Sequence, residues 1–341
     1  DNGAGRIGLT WKPATHWTTR FITSYEYSNQ GGYPYGLYNA DKGTTEAVNY
    51  NNEGLYRRNL LTSGINIRYN GPHISFNSQT SYQYIQDKMG IDQDFSPRNI
   101  FYGQNKIRQH MYCQEFTVKS VNKSRYHWIT GAFVFRQTIN RKVDLSRFTD
   151  TTRHLTNSGI PTQGIAFYHQ STLDLLQGLS CSVGLRYDYE HARCDFSKVQ
   201  QPLNGNGETK SLEQFNRSLH FGQFTPRFSM QYLSSHNQLF YASVSKGYKA
   251  GGFNVSFLNN DDYLYSPAYN WNYEIGTKLS FLNNRLSADL SLFYIDWRNQ
   301  QITNTIPTVG NVIRNAGRSR NKGIEASFQA RPTKSWMMYM N

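Results

Sequence analysis

Polar and apolar residues alternate along most of this chain with a period of two. From Leu179 to Glu190, Leu179, Cys181, Val183, Leu185, Tyr187 and Tyr189 fall on one face, and Ser180, Ser182, Gly184, Arg186, Asp188 and Glu190 on the other. The same division sets Ile74, Phe76, Tyr82 and Tyr84 against His73, Ser75, Asn77, Gln79, Ser81 and Gln83. It sets Tyr273, Ile275, Thr277, Leu279 and Phe281 against Asn272, Glu274, Gly276, Lys278 and Ser280. Leu286, Ala288, Leu290, Leu292 and Tyr294 oppose Ser287, Asp289 and Ser291, with Phe293 and Ile295 blurring the end of that run. Successive side chains of a strand point to opposite faces, so the pattern predicts strands with one apolar face. Several runs reach about a dozen residues, where soluble strands average about 5–6 and a tilted membrane strand needs about 9–11.

About 14 strands are expected, over 5–12, 17–28, 56–70, 73–89, 107–120, 125–142, 164–176, 179–194, 217–233, 238–254, 269–282, 286–305, 312–331 and 335–341. Their connections alternate in length. Short turns are expected near Lys12–His16, Asn70–His73, Val121–Ser124, Gln177–Gly178, Ser234–Asn237, Asn283–Arg285 and Pro332–Lys334. Asn70-Gly71-Pro72 and Asn283-Asn284 carry the chemistry of tight reversals. Long polar loops are expected over Ser28–Leu55, Gly90–Lys106, Val143–Gln163, Asp195–Asn216, Val255–Ala268 and Ile306–Asn311. Short turns on one side and long loops on the other are the layout of an outer-membrane barrel. A soluble sandwich has no reason to sort its loops this way. The expected fold class is therefore all-β, an antiparallel transmembrane β-barrel. An open edge leaves backbone groups unpaired in lipid, so the wall is expected to continue past Asn341 or to be closed by another set of strands.

Composition agrees. Hydrophobic residues make up 38% of the 341 and the mean hydropathy is −0.68. A spanning helix needs about 20 consecutive apolar residues, whereas the longest run here is about five, near Trp336 to Met340. A membrane strand needs an apolar residue only at every second position. Aromatics reach 15%, and Tyr and Trp favour the membrane–water boundary. The formal charge is +13, but the basic residues are dispersed rather than clustered, which argues against nucleic acid. Cys113, Cys181 and Cys194 form no CxxC or Cys/His cluster and are read as free thiols, with no metal and no cofactor expected. Asp1-Asn2-Gly3 lacks the basic and apolar regions of a signal peptide. No phosphate loop, HExxH, GxSxG or CxxC is present, so no catalytic residue is nominated. Asp188 and Glu190 are neighbouring carboxylates on one polar face, offset by Arg186.

Three stretches carry a family resemblance. YASVSKGYKAGGFN runs from Tyr241 to Asn254, WNYEIGTKLSFLNNRLSADLSLFYIDWRNQQI starts at Trp271, and NVIRNAGRSRNKGIEASFQARPTKSW starts at Asn311. Gly247 to Asn254, Tyr273 to Lys278, Asn315 to Gly317 and Lys322 to Glu325, preceded by Thr225-Pro226-Arg227, resemble in order and spacing the C-terminal half of TonB-dependent receptor barrels, especially the iron–siderophore group. Residues 1–220 match that family in layout rather than in sharp motifs.

The resemblance implies a 22-stranded monomeric barrel with an N-terminal plug, of which 1–341 is a partial barrel lacking the plug, its first strand near the fourth. It also implies active uptake of a bulky nutrient, a ferric siderophore or similar chelate, driven by the TonB–ExbB–ExbD complex through the plug, in a bacterial outer membrane. An oligosaccharide or peptide importer of the same fold, or a passive porin or adhesin, is the alternative. Within the motifs, Gly247, Tyr248, Gly251, Gly252, Phe253, Asn254, Glu274, Gly276, Gly323 and Glu325 have structural readings: glycines for a bend near the rim or for close strand contact, and Glu274 and Glu325 facing the lumen. Candidate ligand contacts come from the first long loop, Tyr33, Tyr35, Tyr38 and Tyr50, with Arg57 and Arg58 at its end, because aromatic faces beside cations suit an anionic aromatic chelate.

Overall fold

The computed structural model describes every residue of the chain except positions 123, 237, 284, 307, 308 and 334. The strands, in chain order, are β1 (Asn2–Ala14), β2 (Trp17–Gly32), β3 (Tyr38–Asn39), β4 (Thr44–Thr45), β5 (Gly54–Asn70), β6 (Ile74–Asp92) and β7 (Phe101–Ser120). They continue with β8 (Tyr126–Arg147), β9 (Thr152–Leu176), β10 (Leu179–Pro202), β11 (Lys210–Leu233), β12 (Leu239–Lys249), β13 (Gly252–Phe253), β14 (Leu264–Tyr265) and β15 (Ala268–Phe281). The last are β16 (Leu286–Arg298), β17 (Gln301–Ile306), β18 (Gly310–Asn315), β19 (Arg318–Thr333) and β20 (Trp336–Met340), and a 3-10 turn spans Asn260–Tyr263. Fourteen strands form one antiparallel sheet in which each pairs with the next in sequence, from β1 at one edge to β20 at the other. The hairpins β3–β4, β13–β14 and β17–β18 lie in the connections.

The fourteen expected strands correspond one to one with these fourteen, but their ends differ. Val143–Gln163 and Asp195–Asn216, expected as loops, are mostly strand. β8 and β9 leave only 148–151 between them, and β10 and β11 leave 203–209. β6 and β7 likewise absorb both ends of the Gly90–Lys106 loop. The cause is visible on the outward face. On β10 that face is apolar from Leu179 to Tyr189 and then reads His191, Arg193 and Asp195, while the ladder to β11 continues to Gln200↔Lys210. Above the lipid both faces are wet, so the alternation fades although the backbone stays paired. The expected strands 286–305 and 312–331 each break in two. Asn299 turns with φ +54°, in the left-handed region that Asn tolerates, and β17 then pairs with β18 instead of the wall. The expected strand 238–254 leaves the wall after Lys249. Of the expected turns, Gln177–Gly178 is tight, with Gly178 at φ +80° and its carbonyl accepting from Leu233 N at 2.7 Å. The expected turns Val121–Ser124, Ser234–Asn237, Asn283–Arg285 and Pro332–Lys334, and the loop Ile306–Asn311, each include a position outside the described residues.

One face of the sheet carries exposed apolar side chains, such as Val183, Leu185, Phe167, Ile275 and Ile324, half or more exposed. In water this would be costly; in lipid it is the contact surface. The other face is polar and cross-linked. Arg186 holds Asp188 through Nε and Nη2 at 2.7–3.0 Å and lies 5.7 Å from the ring of Tyr168. The Tyr168 hydroxyl donates to Glu115 at 2.9 Å. Cys113, Cys181 and Cys194 are free thiols.

Several inner glycines accept an aromatic ring from the next strand. A Cβ on Gly276 would lie 2.6 Å from the Tyr241 ring, and one on Gly323 would lie 2.7 Å from Phe293. Tyr241, so placed, donates its hydroxyl to Glu274 at 2.7 Å. Gly276→Val is therefore expected to displace that ring and destabilise the barrel by about 1–3 kcal/mol. Gly184→Val, on β10 with strands on both sides and nothing nearer its Cβ than Gln170 Cβ at 3.6 Å, should cost far less. Thermal melting of both variants in detergent checks the contrast.

Candidate functional site: a cationic mouth closed by a loop clamp

Where β8, β9 and β10 rise above the apolar band, their inward side chains converge. Arg141, Val143, Leu145 and Arg147 point inward from β8. Their partners Ser158, Thr156 and His154 do so from β9, and Phe196 and Lys198, opposite Ser158 and Thr156, from β10. Val255, Ser256 and Phe257 close the space from the β13 side, and Thr305, Ile306, Val309 and Gly310 from the β17–β18 hairpin. The cavity measures about 870 Å³, within the range of about 300–1,000 Å³ common for small-molecule sites.

Its charge is one-sided. Arg141, Arg147, His154 and Lys198 line it, and among the described residues no carboxylate does. Arg141 donates Nε to the neutral Asn105 Oδ1 at 3.0 Å, and burial presses its guanidinium pKa below the usual value. A desolvated cation with only a neutral partner is a favourable contact for an anion. Arg147 lies 3.2 Å from Asp150 and 5.9 Å from the Phe101 ring. Burial first, then Lys198 and Arg147, hold the His154 imidazole below its ordinary value of 6.5, so it is neutral at pH 7. Aromatic faces complete the lining: Phe196 stacks on Phe215 at 4.8 Å and meets Phe257 edge-on at 5.3 Å.

The loops over this cavity are held by a buried clamp built from two of the sequence motifs. Asn254, 4% exposed, donates Nδ2 to the carbonyls of Asp262 (2.8 Å) and Ile313 (2.7 Å), and its Oδ1 accepts from Ile313 N at 2.9 Å. Asp262 accepts two bonds from the Arg314 guanidinium, at 2.7 and 2.8 Å. Asn315 accepts from Ser266 N at 2.7 Å and donates to the carbonyls of Ser266 and Asn299 at 2.9 Å each. Asn254 of the Gly247–Asn254 motif thus grips β18 at Ile313, two residues ahead of the Asn315–Gly317 motif, whose Asn315 fastens the same strand to Ser266 and Asn299. The glycines have steric reasons. A Cβ on Gly251 would meet the Tyr265 carbonyl at 2.6 Å, one on Gly247 would meet Asn270 Oδ1 at 2.5 Å, and Gly252 lies under the Tyr265 ring. Phe253 is buried in the cluster of Phe196, Phe215 and Tyr263.

Tyr248 departs from simple alternation. Phe240 and Val244 share its parity and belong to the outer face, yet the Tyr248 hydroxyl donates to Glu190 at 2.8 Å on the inner face. The ladder from β12 to β11 stops at Arg227↔Ser245, so Tyr248 lies where the strand is held on one side only. Glu274 and Glu325 lie opposite Ser243 and Ser291 on the inner face, as the alternation implies.

The first-loop residues are partly brought together. Tyr33, at φ +60°, stacks on Tyr35 at 6.2 Å, and Tyr35 meets Phe95 at 5.1 Å. Tyr38 is exposed on the β3–β4 hairpin, and Tyr50 donates to the Gly32 carbonyl at 3.5 Å. Arg58 pairs with Asp87 at 3.0 Å on the inner face. Arg57 points the other way, donating to Asn29 at 2.9 Å, because consecutive strand residues take opposite faces. The cavity residues Arg141, Arg147, His154 and Lys198 were not nominated from the sequence, since they fall in or beside stretches expected as loops. The signal that finds them is the every-second-residue series Arg141, Val143, Leu145, Arg147, carried past the end of the lipid band.

An open antiparallel wall with one apolar exposed side and one polar side defines the wall of a membrane β-barrel. The family described as TonB dependent receptor-like, beta-barrel, matches residues 1–341, and the chain belongs to it. It is a family of outer-membrane transporters and receptors. Among solved structures the chain is similar to the ferric yersiniabactin uptake receptor FyuA from Yersinia pestis (TM-score 0.83, 16% identity, covering 98% of this chain and 50% of that one). It is also similar to the ferric-catecholate import receptor Fiu from E. coli K12 (TM-score 0.73, 13% identity, 99% and 57%). The siderophore receptor PiuA from Acinetobacter baumannii gives a TM-score of 0.73 at 14% identity, over 98% and 55%. At these identities the likeness is one of fold, and the chain spans about half the length of these structures.

The Arg314 pair holds the Asp262 carboxyl below its ordinary value of 3.8. A depressed folded value means that this contribution is complete above the unfolded pKa and is lost as pH falls through the folded one. Protection of the 310–315 amides, their exchange taken relative to the intrinsic rate at each pH, should therefore be constant above about pH 4 and fall only at lower pH. Asn254→Ala, which strands a buried N–H and two carbonyls, should speed exchange there at every pH, at a cost of about 1–3 kcal/mol.

Proposed function

We propose that this chain is barrel wall from a bacterial outer-membrane receptor that imports an anionic metal chelate, foremost a ferric siderophore. The carrying observation is the cavity of about 870 Å³ that joins Arg141, Arg147 and Lys198 to aromatic faces with, among the described residues, no lining carboxylate. Iron chelates built on carboxylates or catecholates are anionic and of this general size, and guanidinium and aromatic groups hold such anions by paired hydrogen bonds and stacking. The cations favour an anion over a neutral oligosaccharide. The names of the solved structures of this fold, each an iron or siderophore receptor, point the same way. The Tyr33–Tyr35–Phe95 group is proposed as a second contact ledge, with Arg58, on the inner side of the first loop.

In this reading the receptor is monomeric. A plug elsewhere in the full-length receptor fills the lumen, and the TonB–ExbB–ExbD complex drives it. The polar inner face, with Glu190, Glu274 and Glu325, is the surface such a plug would slide against.

The complete gene, restored to an iron-limited strain lacking its own receptors, should confer uptake of labelled ferric siderophore that stops when TonB is deleted. Arg141→Ala with Lys198→Ala should raise the half-saturating chelate concentration by about tenfold or more, since each charge-assisted bond is worth about 1.5–3 kcal/mol. Uptake of no anionic chelate, or equal uptake without TonB, would overturn the proposal.

A further inference from the structure

His154 is the one imidazole on the lining of the mouth. It stands on β9 between Leu145 of β8 and Gln200 of β10 in the ladder, and it shares the cavity with Arg141, Arg147 and Lys198. Neither of its ring nitrogens has a hydrogen-bond partner among the described residues. A histidine kept for packing alone is usually satisfied by a neighbour; this one faces an anion-seeking space with its donor and acceptor unused.

The ionisable groups around it come from few elements. β8 supplies Arg147, and the turn after it supplies Asp150, 3.2 Å from Arg147. A hydrogen bond from Thr152 first, and then Arg147, hold the Asp150 carboxyl below 3.8, so it is ionised throughout the neutral range. β10 supplies Lys198, opposite Glu213 of β11, which accepts the Tyr263 hydroxyl at 2.6 Å. Asp144 and Arg153 pair with each other, and Asp144 has the outward parity. Among the described residues the β13–β14 and β17–β18 segments and the β6–β7 side bring no ionisable group to the lining. Of all these side chains, imidazole is the one that ordinarily changes charge between about pH 5 and 8.

In the empty mouth, burial and the cations keep the ring neutral. An entering anion reverses the local field: it offsets the cations and presents oxygens to a ring that has no partner.

We propose that His154 is a proton-accepting contact for the anionic chelate, taking one proton from solvent as the anion enters and donating the new N–H to a chelate oxygen. The proton returns to solvent when the anion leaves. The inference rests on the anionic-chelate reading above and adds a response to ligand charge. The empty mouth is spared a fourth like charge, and the imidazolium forms only against enough negative charge, so the site ranks chelates by charge as well as by shape. The sign follows. The ring titrates below 6.5 in the free receptor and higher in the complex. Affinity therefore grows as pH falls through the bound-state value, and the gain is complete below the free-state value.

The test uses the receptor expressed from its complete gene, purified in detergent and titrated calorimetrically with two anionic probes, ferric citrate and a ferric tris-catecholate. Titrations run from pH 5.5 to 8 in pairs of buffers with unlike ionisation enthalpies, which count the protons taken up. H154Q supplies the pH response of the chelate itself. Relative to H154Q, the wild type should take up about half to one extra proton per chelate near pH 7, and its affinity should gain about tenfold between pH 8 and pH 6. H154K, with a fixed charge, should take up no extra proton and at pH 8 should bind more tightly than the wild type. Equal proton uptake by wild type and H154Q would overturn the inference and leave chelate binding standing. A wild type that takes up no proton would overturn it without any variant. Binding of neither probe at any pH would remove the anionic-chelate reading itself, and this inference with it.

Discussion

Every backbone N–H and C=O that enters hydrocarbon must find a partner within the protein, and this one requirement organises the chain. An antiparallel ladder running through fourteen strands meets it between neighbours without help from side chains, leaving only the two edges of the sheet to be closed. The side chains are then free to differ by face. The outer set, such as Val183, Leu185 and Ile275, answers to lipid, and the inner set, such as Arg186, Asp188 and Glu274, answers to water and to one another. Stability of the wall resides in the ladder and in cross-strand contacts, including rings laid over Gly276 and Gly323. A layered hydrophobic core is not needed, and the buried apolar cluster is confined to the mouth around Phe196, Phe215 and Tyr263.

The mouth follows from the same ladder carried further. Strands β8 to β11 stay paired well above the lipid, so they form a stiff collar rather than loose loops. A collar holds Arg141, Arg147 and Lys198 in fixed positions on one side; the clamp of Asn254, Asp262, Arg314 and Asn315 ties the β13–β14 segment to the β17–β18 hairpin, and Phe253 and Tyr263 pack that segment on the collar at Phe196 and Phe215. A cationic site that is already formed loses less side-chain entropy on binding than one assembled from mobile loops.

The membrane part of the wall was legible in the sequence because lipid imposes a rule on every second residue. Leu179 to Glu190 shows strand, faces and length at once. Above the lipid the rule lapses. Residues 143–163 and 195–216 read as loops although their backbone remains paired, and the cationic cavity went unseen with them. The first-loop tyrosines were chosen by composition. The structure gathers Tyr33 and Tyr35 with Phe95, leaves Tyr38 exposed, and turns Arg57 to the opposite side from Arg58.

By itself the sequence determined the fold class, the strand count and the side of each membrane residue, since these depend on local alternation and on turn chemistry such as Gln177-Gly178. It also carried the family motifs of Gly247–Asn254 and Asn315–Gly317, but as separate strings. Only the tertiary structure decided that Asn254 of the first string grips β18 just ahead of the second, that Tyr248 turns inward to Glu190, and which cations share a cavity. Those outcomes depend on register between strands and on where a ladder ends, and both are set by contacts among residues far apart in the chain.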